Sequence, residues 1–360
     1  MDALNDRLAK QIAARKESST FRSLTLNSFS TDFYSNNYLG LAHKKFETPK
    51  HFLESGTGSR LISGSSKIHS DTEEYLASSF KSEAALIFNS GYDANVGLLQ
   101  AVVTRHDTVI YDEHIHASSR DGLQLSRSKS YNFKHNSLKH LEERLKKTEG
   151  IVFVLIESLY SMHGDLADLK GTVEVCKKYG AHLIVDEAHA GACFGKKGGG
   201  RIEELGLEKD VFARLLTFGK GFGAHGAVVL SSQLLKDYLI NFARSFIYTT
   251  TLPETSVYRI QQIIKHTDFI SLQEKLQANI ALFCEVFRLK NNGSPIQCLT
   301  ADNIGTLKVW ESKLKADNVG IKYILPPTVK VGEERLRVCI HAFNTKQEIE
   351  RLAQLIQANA

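Results

Sequence analysis

Short apolar runs alternate with amphipathic helical segments through the middle of this chain, and this alternation restricts its fold more than any other feature. Six runs follow one another along the sequence: ALIFN, DTVIYD, IVFVLIES, HLIVDEAH, ARLLTFGK and AVVLSS. Apolar runs of this length, separated by helices, are typical of strands buried on both faces of a mainly parallel sheet. The central region is therefore predicted to be an α/β layer structure.

The two ends of the chain carry other patterns. Near the N-terminus, Leu4, Leu8 and Ile12 fall on one helical face, which predicts a helix over residues 2–16. After Pro253, one long helical stretch, VYRIQQIIKHTDFISLQEKLQANIALFCEVFRLK, is followed by the strand-like pieces GTLKVW and RLRVCIHAF and by a final helix, KQEIERLAQLIQ.

The length of 360 residues exceeds the roughly 250–300 residues at which a single core usually stops growing. We therefore expect an N-terminal arm at residues 1–37, a large α/β domain at 38–255 and a smaller α+β domain at 256–360.

Composition excludes several classes of protein. A net charge of +5, from 45 basic and 40 acidic residues without a basic stripe, argues against a nucleic-acid binder. The charged fraction of 24% is that of an ordinary globular protein. Five cysteines without a C-x-x-C pair indicate a reducing compartment, and no apolar signal core or run of about 20 apolar residues is present. We expect a cytoplasmic protein without a membrane span.

Four polar clusters follow apolar runs: NSGYDAN, DEHIHAS, DEAHAG and TFGKGFG. In open α/β sheets, ligands bind beyond the carboxyl ends of the strands, so these clusters are the first candidates for a site.

Two of the clusters contain charged residues in apolar surroundings. Asp186, at the end of a buried run, needs a cationic partner such as a protonated ring nitrogen, although a helix N-cap is an equal alternative. His189 is either part of that site or a structural histidine. Lys220 lies in a glycine-rich turn that is not a Walker A loop, and its apolar neighbours favour a lysine of lowered pKa that forms a Schiff base over a solvated surface lysine.

The other two clusters are more ambiguous. Gly91 and Tyr92 start a helix whose free N–H groups suit a phosphate, or they form an ordinary turn. His116 has a planar ring that stacks on a flat heterocycle or simply packs. If His114 and His116 are on a strand they share a face, but no third metal ligand at suitable spacing is evident, so no metal site is predicted.

Together, an electron-sink carboxylate, a Schiff-base lysine, a phosphate-binding helix start and a stacking ring describe a pyridoxal 5′-phosphate site. With these motifs, and with SNNYLGL, GSRLISGSSKIHSDTEEYLA, ESLYSMHGDLADL and RLRVCIHAF, the chain resembles the α-oxoamine synthases. These are a branch of the fold type I pyridoxal phosphate enzymes, with the aminotransferase class I/II fold. TFGKGFG and NFARSFIYTTTLP are most similar to the members that join L-alanine to a pimeloyl thioester in biotin biosynthesis.

The resemblance implies a role for each matching residue. Lys220 would hold the cofactor, Asp186 would pair with its pyridine nitrogen, His189 would contact the ring hydroxyl and His116 would stack on the ring. The cofactor phosphate would be bound by Gly91, Tyr92 and Thr217, with Thr249 or Thr250 from a partner subunit. Ser161 would line the site. The amino-acid carboxylate would be bound by Arg337, with Arg22 and Asn37 as secondary candidates.

The string RLRVCIHAF contains two arginines, and either is a candidate to bind the amino-acid carboxylate. Arg335 and Arg337 alternate on a strand-like segment, and a guanidinium suits a carboxylate, but a salt bridge with Glu333 or Glu334 is the alternative. We expect one arginine, Arg337, to bind substrate.

The expected reaction is a decarboxylative condensation of an amino acid with an acyl thioester, carried on acyl carrier protein or coenzyme A. The alternatives are glycine C-acetyltransferase, serine palmitoyltransferase and a non-catalytic partner subunit of the same fold. A Rossmann dehydrogenase is disfavoured because no G-x-G-x-x-G follows the first run. The resemblance implies a homodimer, and Phe246, Tyr248 and Leu252 form an apolar segment that a partner would cover.

Overall fold

The computed structural model describes residues 2–18, 20–22, 24, 28–301, 303–326 and 329–357. Within these residues the helices are α1 (Asp2–Glu17), α2 (Lys67–Ser79), α3 (Gly91–Val102), α4 (Ala117–Ser126), α5 (Leu138–Leu145), α6 (Leu169–Tyr179), α7 (Gly200–Leu205), α8 (Gln233–Phe242), α9 (Arg244–Ile247), α10 (Glu254–His266), α11 (Phe269–Phe287), α12 (Ile304–Ala316) and α13 (Lys346–Gln357). The strands are β1 (Thr31–Asp32), β2 (Ala84–Phe88), β3 (Thr108–Asp112), β4 (Lys129–Phe133), β5 (Val152–Glu157), β6 (His182–Asp186), β7 (Ala213–Thr217), β8 (Ala227–Ser231), β9 (Ile296–Thr300), β10 (Val319–Gly320), β11 (Lys322–Ile324) and β12 (Arg335–Cys339).

A seven-stranded sheet with the order β2-β8-β7-β6-β5-β3-β4 forms the centre of the protein. Strands β4, β3, β5, β6 and β7 pair in parallel, and β8 runs antiparallel to both of its neighbours. All six apolar runs are strands of this sheet, which confirms the predicted mainly parallel α/β fold. The edge strand β4 was not predicted, because its sequence KSYNF is polar and only Phe133 is buried.

Adjacent residues of each strand enter different cores, since the sheet is covered on both faces. Val109 and Leu155 join one cluster with helices α3, α4 and α8. Ile110 and Val154 join the other, with helices α5 and α6. Burying each such side chain contributes about 1.5–3 kcal/mol, so the continuous apolar runs are the main source of the sheet's stability.

The C-terminal part contains an antiparallel sheet, β11-β12-β9, and here two predictions were wrong. GTLKVW belongs to helix α12, in which Leu307, Trp310 and Leu314 are buried at helical spacing. The long helical stretch after Pro253 is two helices, α10 and α11, and the second begins where the Asp268 side chain accepts a hydrogen bond from the Ser271 N–H.

The N-terminal helix α1 has no buried residue. The division into 1–37, 38–255 and 256–360 stays a prediction. Helix α10 starts just before the second boundary and packs against α2 of the large part. Within the described residues, no helix has both the length and the apolarity that a bilayer span requires.

Candidate active site

A cavity of about 270 Å³ lies at the carboxyl ends of the parallel strands. It is lined by Ser90, Gly91, Tyr92, Asn95, His116, Ser118, Glu157, Asp186, Ala188, His189, Thr217, Gly219, Lys220, His225 and Gly226. All four polar clusters of the sequence therefore contribute to one cavity, as strands that end at the same edge of a sheet allow.

Asp186 ends strand β6 and is held by two hydrogen bonds. Its Oδ1 accepts from the N–H of Ala188 at 2.9 Å, and its Oδ2 accepts from Asn95 Nδ2 at 2.7 Å. Asn95 also donates to Ser118 Oγ at 3.1 Å. Residues 187–193 form turns and the next helix starts at Gly200, so Asp186 is not a helix N-cap. Its carboxylate is a fixed acceptor at the cavity wall.

Lys220 lies on the connection between β7 and β8. The connection is closed at its base, where the N–H of Phe218 donates to the carbonyl of Gly226 at 2.8 Å, and within it the N–H of Ala224 donates to the carbonyl of Phe218 at 2.7 Å. The backbone that carries the lysine is thus fixed at both ends, while its side chain points to the cavity.

A row of hydrogen bonds connects the lysine to the protein interior. Lys220 Nζ is 2.8 Å from His189 Nε2, and His189 Nδ1 is 2.7 Å from the hydroxyl of the buried Tyr38. Burial lowers the pKa of the Lys220 amine, while Asp186 and Glu157 act in the opposite direction. Burial, and then the charge of Lys220, lower the pKa of His189 well below its usual range. His189 is therefore neutral near pH 7, and the lysine loses its proton more readily than an exposed one.

Glu157 ends strand β5 beside Asp186 and also lines the cavity. Burial, and then the charge of Asp186, raise the pKa of Glu157 well above its usual range. Its Oε1 is buried and has no hydrogen-bond partner among the residues that the structure describes. An unsatisfied buried oxygen costs about 1–3 kcal/mol, so a polar ligand that reaches it is favoured.

Helix α3 begins at the cavity and is capped by Ser90, whose Oγ accepts from the N–H of Asp93 at 3.1 Å. A Cβ on Gly91 would lie 2.4 Å from Thr217 Cγ2, so only glycine lets the helix start approach β7 this closely. Thr217 Oγ1 donates to the carbonyl of Ala188 at 3.1 Å. Tyr92 is half exposed and donates its hydroxyl hydrogen to Asp121 at the cavity rim.

His116 is the N-cap of helix α4, where its Nδ1 accepts from the N–H of Ser118 at 3.2 Å. His114 and His116 are not on a strand, because β3 ends at Asp112. His114 lines a second cavity together with His163. His116 alone of the pair contributes to the first cavity, and burial lowers its pKa.

The buried Arg337 guanidinium has three partners. Nε donates to the carbonyl of Ser161 at 2.6 Å, Nη2 to Asn36 Oδ1 at 3.0 Å and Nη1 to Cys339 Sγ at 3.0 Å. Arg335, two residues away, instead pairs with Glu333 at 3.6 Å. The ion-pair alternative thus applies to Arg335.

Six predicted residues lie outside the lining of the cavity, and Arg337 and Ser161 are two of them. The other four are Asn37, Arg22, Thr249 and Thr250. Asn37 accepts the N–H of Ala42 through Oδ1 at 3.1 Å, and Arg22 is exposed. Thr249 Oγ1 and the carbonyl of Thr250 both accept from Asn89 Nδ2, at 3.1 and 2.5 Å. Asn89, which precedes the cavity residue Ser90, therefore holds the two threonines outside the cavity of their own chain.

The predicted apolar segment for a partner is only partly exposed. Tyr248 is 72% exposed, whereas Phe246 and Leu252 are each only 4% exposed and belong to the cores of this chain.

Sequence reasoning missed three residues that position the predicted ones: Asn95 behind Asp186, Tyr38 behind His189, and Asn36 behind Arg337. All three lie within motifs of the sequence: Asn95 is in NSGYDAN, and Asn36 and Tyr38 are in SNNYLGL. Asn95 follows Gly91 by four residues, so helical spacing alone places it on the same face as the helix start.

Known proteins resemble this chain over almost its whole length. The family described as aminotransferase class I and II matches residues 30–356. The chain is 37% identical to the 8-amino-7-oxononanoate synthase of Emericella nidulans, over 98% of this chain and 95% of that protein, and 32% identical to the one of Lysinibacillus sphaericus, over 98% of both.

Solved structures of related enzymes are similar to this chain over almost its whole length. The serine palmitoyltransferase of Sphingomonas wittichii superposes with a TM-score of 0.89 at 25% identity, covering 99% of this chain and 96% of that one. The 8-amino-7-oxononanoate synthase of Francisella tularensis gives a TM-score of 0.75 at 27% identity, covering 92% and 97%. The chain therefore belongs to the aminotransferase class I and II family of pyridoxal 5′-phosphate-dependent enzymes, in its α-oxoamine synthase branch.

Proposed function

We propose that this protein is a pyridoxal 5′-phosphate-dependent acyltransferase that condenses L-alanine with a pimeloyl thioester. The products are 8-amino-7-oxononanoate, carbon dioxide and the free thiol, which makes the reaction a step of biotin biosynthesis. The observation that carries the proposal is the convergence of Lys220, His189 and Asp186 on one cavity, in a chain whose relatives carry this name.

The cavity fits the cofactor. Gly91 lets the start of α3 pack closely against Thr217 at the cavity, and the N–H groups of a helix start suit a phosphate. Asp186 offers a fixed carboxylate for a protonated ring nitrogen. Glu157 Oε1 has no hydrogen-bond partner among the described residues. We assign Lys220 to hold the cofactor covalently. His189 would contact the ring hydroxyl.

The remaining cofactor contacts follow from the resemblance. We assign His116 to the ring face and Gly91, Tyr92 and Thr217 to the phosphate. Thr249 or Thr250 of a second subunit would complete the phosphate site, since the threonines of the same chain lie outside the cavity.

When bound, pyridoxal phosphate supplies an electron sink for negative charge at the α-carbon of the amino acid. Asp186 would pair with the ring nitrogen and favour its protonated form, which maintains that sink. The Lys220 amine, once the amino group of the substrate has displaced it from the cofactor, would take the proton from the α-carbon, and its lowered pKa favours this role. His116 donates a hydrogen bond to the thioester carbonyl.

Arg337 would bind the carboxylate of the amino acid, and Ser161 would hold the arginine in place through its carbonyl. Asn37 and Arg22 stay the secondary candidates that the resemblance gives, and Arg337, like them, lies outside the lining of the cavity. We also infer a reducing compartment such as the cytoplasm, since the five cysteines are free thiols. The carrier of the acyl group is coenzyme A or acyl carrier protein, and an acidic carrier would be attracted by the net charge of +5.

The test is product analysis by mass spectrometry. The protein is incubated with alanine, glycine or serine and with pimeloyl, acetyl or palmitoyl thioesters on coenzyme A and on acyl carrier protein. We expect 8-amino-7-oxononanoate from alanine and a pimeloyl thioester. A product from glycine and acetyl thioester, or from serine and palmitoyl thioester, with none from alanine, would assign the protein to another member of the branch.

Lys220→Ala tests whether the subunit is catalytic. We expect this variant to lose turnover and the absorbance that is specific to the lysine-bound cofactor, whereas Lys209→Ala, which alters an exposed lysine, keeps both. Full turnover in the Lys220 variant would contradict the proposed mechanism.

A further inference from the structure

A short turn at residues 160–165 lies between the central sheet and the C-terminal sheet. Two backbone hydrogen bonds close it, from the N–H of Tyr160 to the carbonyl of Asp165 at 3.0 Å and from the N–H of Gly164 to the carbonyl of Tyr160 at 2.9 Å. Gly164 has a φ of +72°, and a Cβ there would overlap with the carbonyl of Ile296 on β9. The 160–165 turn is therefore packed directly on the C-terminal sheet.

Carbonyl groups of the 160–165 turn accept hydrogen bonds from side chains of the C-terminal part. Ser161 accepts from Arg337 Nε at 2.6 Å. Gly164 accepts from Asn292 Nδ2 at 3.0 Å. The bond from the guanidinium is charge-assisted, which is the stronger kind. Because a guanidinium is planar, a fixed acceptor at Nε determines the direction of both Nη groups. The position of the turn thus sets the orientation of Arg337.

The other side of the turn is held by His135, which follows β4. Its Nε2 is 2.9 Å from Asp165 Oδ2, and its Nδ1 is 3.0 Å from Asp112 Oδ1. Burial disfavours a charged ring, but the hydrogen bonds to the two carboxylates outweigh burial and raise the pKa of His135 to about 9. The hydrogen bond from His135 in turn lowers the pKa of the Asp165 carboxyl. At pH 7 the ring is therefore an imidazolium that donates both N–H groups to carboxylates.

Asp112 is a rigid anchor for this cation. It is fully buried at the last position of β3, and its two oxygens also accept the N–H of His114 at 2.8 Å and of Asn136 at 2.9 Å. The ring of Tyr160, the first residue of the turn, is perpendicular to that of His135, with 4.5 Å between the centroids. His135 thus connects the end of β3 to the 160–165 turn.

We propose that His135 is a positioning residue for the amino-acid substrate: through Asp165 it holds the 160–165 turn, and through the Ser161 carbonyl the turn orients Arg337. This inference rests on the proposed role of Arg337. A neutral side chain at position 135 leaves the turn held only by its contacts with the C-terminal sheet, and a small displacement of a substrate-binding group weakens its interaction strongly. Neither His135 nor Asp165 lines the cofactor cavity, so cofactor binding should stay intact.

The test measures alanine binding to the holoenzyme by the change in cofactor absorbance. His135→Gln removes the positive charge and one of the two hydrogen bonds, and Asp165→Asn removes the negative charge of the turn. His106→Gln alters an exposed histidine and is the matched control. We expect about tenfold weaker alanine binding in the first two variants, the loss of about one charge-assisted hydrogen bond, and wild-type binding in the control.

The titration also separates this inference from the proposed function. It needs no thioester, and it is repeated with glycine and serine. If the wild type binds one of these in place of alanine, the proposed substrate is wrong, but the comparison of variants is then made with that amino acid. Failure of the inference instead removes the difference between the wild type and the variants.

A double variant distinguishes positioning from a general loss of stability. If Asp165 acts through Arg337, adding Asp165→Asn to Arg337→Lys should weaken alanine binding no further than Arg337→Lys does alone. Circular dichroism shows that each protein compared is folded, and if His135→Gln does not fold, the isosteric Asp165→Asn carries the comparison. A loss that adds in full in the double variant would overturn the proposal, and so would wild-type binding in the single variants.

The dependence on pH is a second readout that a merely structural role would not move. In the wild type, alanine affinity should fall as pH rises through about 9, where His135 loses its proton, and His135→Gln should lack this fall. The ionisation of alanine and of Lys220 affects both proteins alike. The other ionisable groups packed around the ring are Asp112, Glu113, His114, Tyr160, His163 and Asp165. Burial lowers the pKa of His114 and His163 and raises that of Tyr160, so these three stay neutral between pH 7 and about 9. Identical pH profiles of the wild type and His135→Gln would contradict the proposal.

Discussion

At the scale of single residues, partners decide which of two similar side chains is available to a substrate. Arg335 and Arg337 face the same side of β12, yet Arg335 pairs with Glu333 while Arg337 contacts only neutral groups. A guanidinium without a carboxylate partner keeps its full charge for a substrate carboxylate, and its planar shape suits two parallel hydrogen bonds.

Arg337→Lys should therefore raise KM for alanine about tenfold or more, because the lysine cannot form both hydrogen bonds. The fall in kcat should be smaller, and the cofactor absorbance should stay. Steady-state kinetics, with alanine varied at saturating thioester, measures the effects on KM and kcat separately. Arg335→Lys is the control and should leave KM unchanged; if both variants have the wild-type KM, Arg337 does not bind the amino acid.

Residue-level prediction from sequence succeeded where the local string contains the signal. Lys220, Asp186, His189 and His116 were all found from motifs, and the structure places all four at one cavity. The residues that position them depend on tertiary contacts. Asn36 and Arg337, for example, are 301 positions apart, and no spacing rule connects them.

At the scale of elements, the contact between the start of α3 and the end of β7 determines the shape of the cavity. The two elements meet where Gly91 faces the methyl group of Thr217. Because the helix start is the proposed phosphate site, a shift of α3 by even part of an ångström changes the distance from its N–H groups to the ligand.

Gly91→Ala should weaken cofactor binding at least tenfold, since its Cβ would lie 2.4 Å from Thr217 Cγ2 and must push α3 away. Thr217→Ser removes that methyl group and keeps the hydroxyl. The double variant should recover most of the lost affinity, measured by titration of the apoenzyme with pyridoxal phosphate. If the double variant binds as weakly as Gly91→Ala alone, the clash is not the cause.

The strands and helices that could be predicted from the sequence are those whose buried residues form a clear pattern. The six central strands were found because strands covered on both faces are apolar throughout, whereas β4 has one buried residue and no such signal. In GTLKVW, polar and apolar residues alternate from Thr306 to Val309, so this short string imitates a strand. The buried Leu307, Trp310 and Leu314 reveal a helix only when the window is extended by a further turn.

At the scale of the whole molecule, some exposed apolar residues lie where the proposed homodimer would cover them. Leu61 is 53% exposed, Ile62 87% and Tyr248 72%. The segments that carry them are adjacent, because the N–H of Thr251 donates to the carbonyl of Gly58 at 3.0 Å. An apolar patch of this kind beside a ligand cavity is typical of a subunit interface.

We expect the protein to be a dimer by size-exclusion chromatography with light scattering. Ile62→Asp should shift it to the monomer and weaken cofactor binding, because a partner's threonines no longer reach the phosphate. Leu234→Asp, which changes an 80% exposed leucine on α8, should leave the dimer intact. A monomeric wild type at micromolar concentration would rule out this interface.

The closed connection that carries Lys220 also bears on how fast the enzyme recovers after losing its cofactor. Its base is fixed by the backbone hydrogen bond between Phe218 and Gly226, and this bond depends on protein atoms only. We therefore expect that ordering of this loop does not limit reconstitution of the apoenzyme within an intact dimer. Entry into the cavity and the motion of the four-carbon side chain of Lys220 should set the rate.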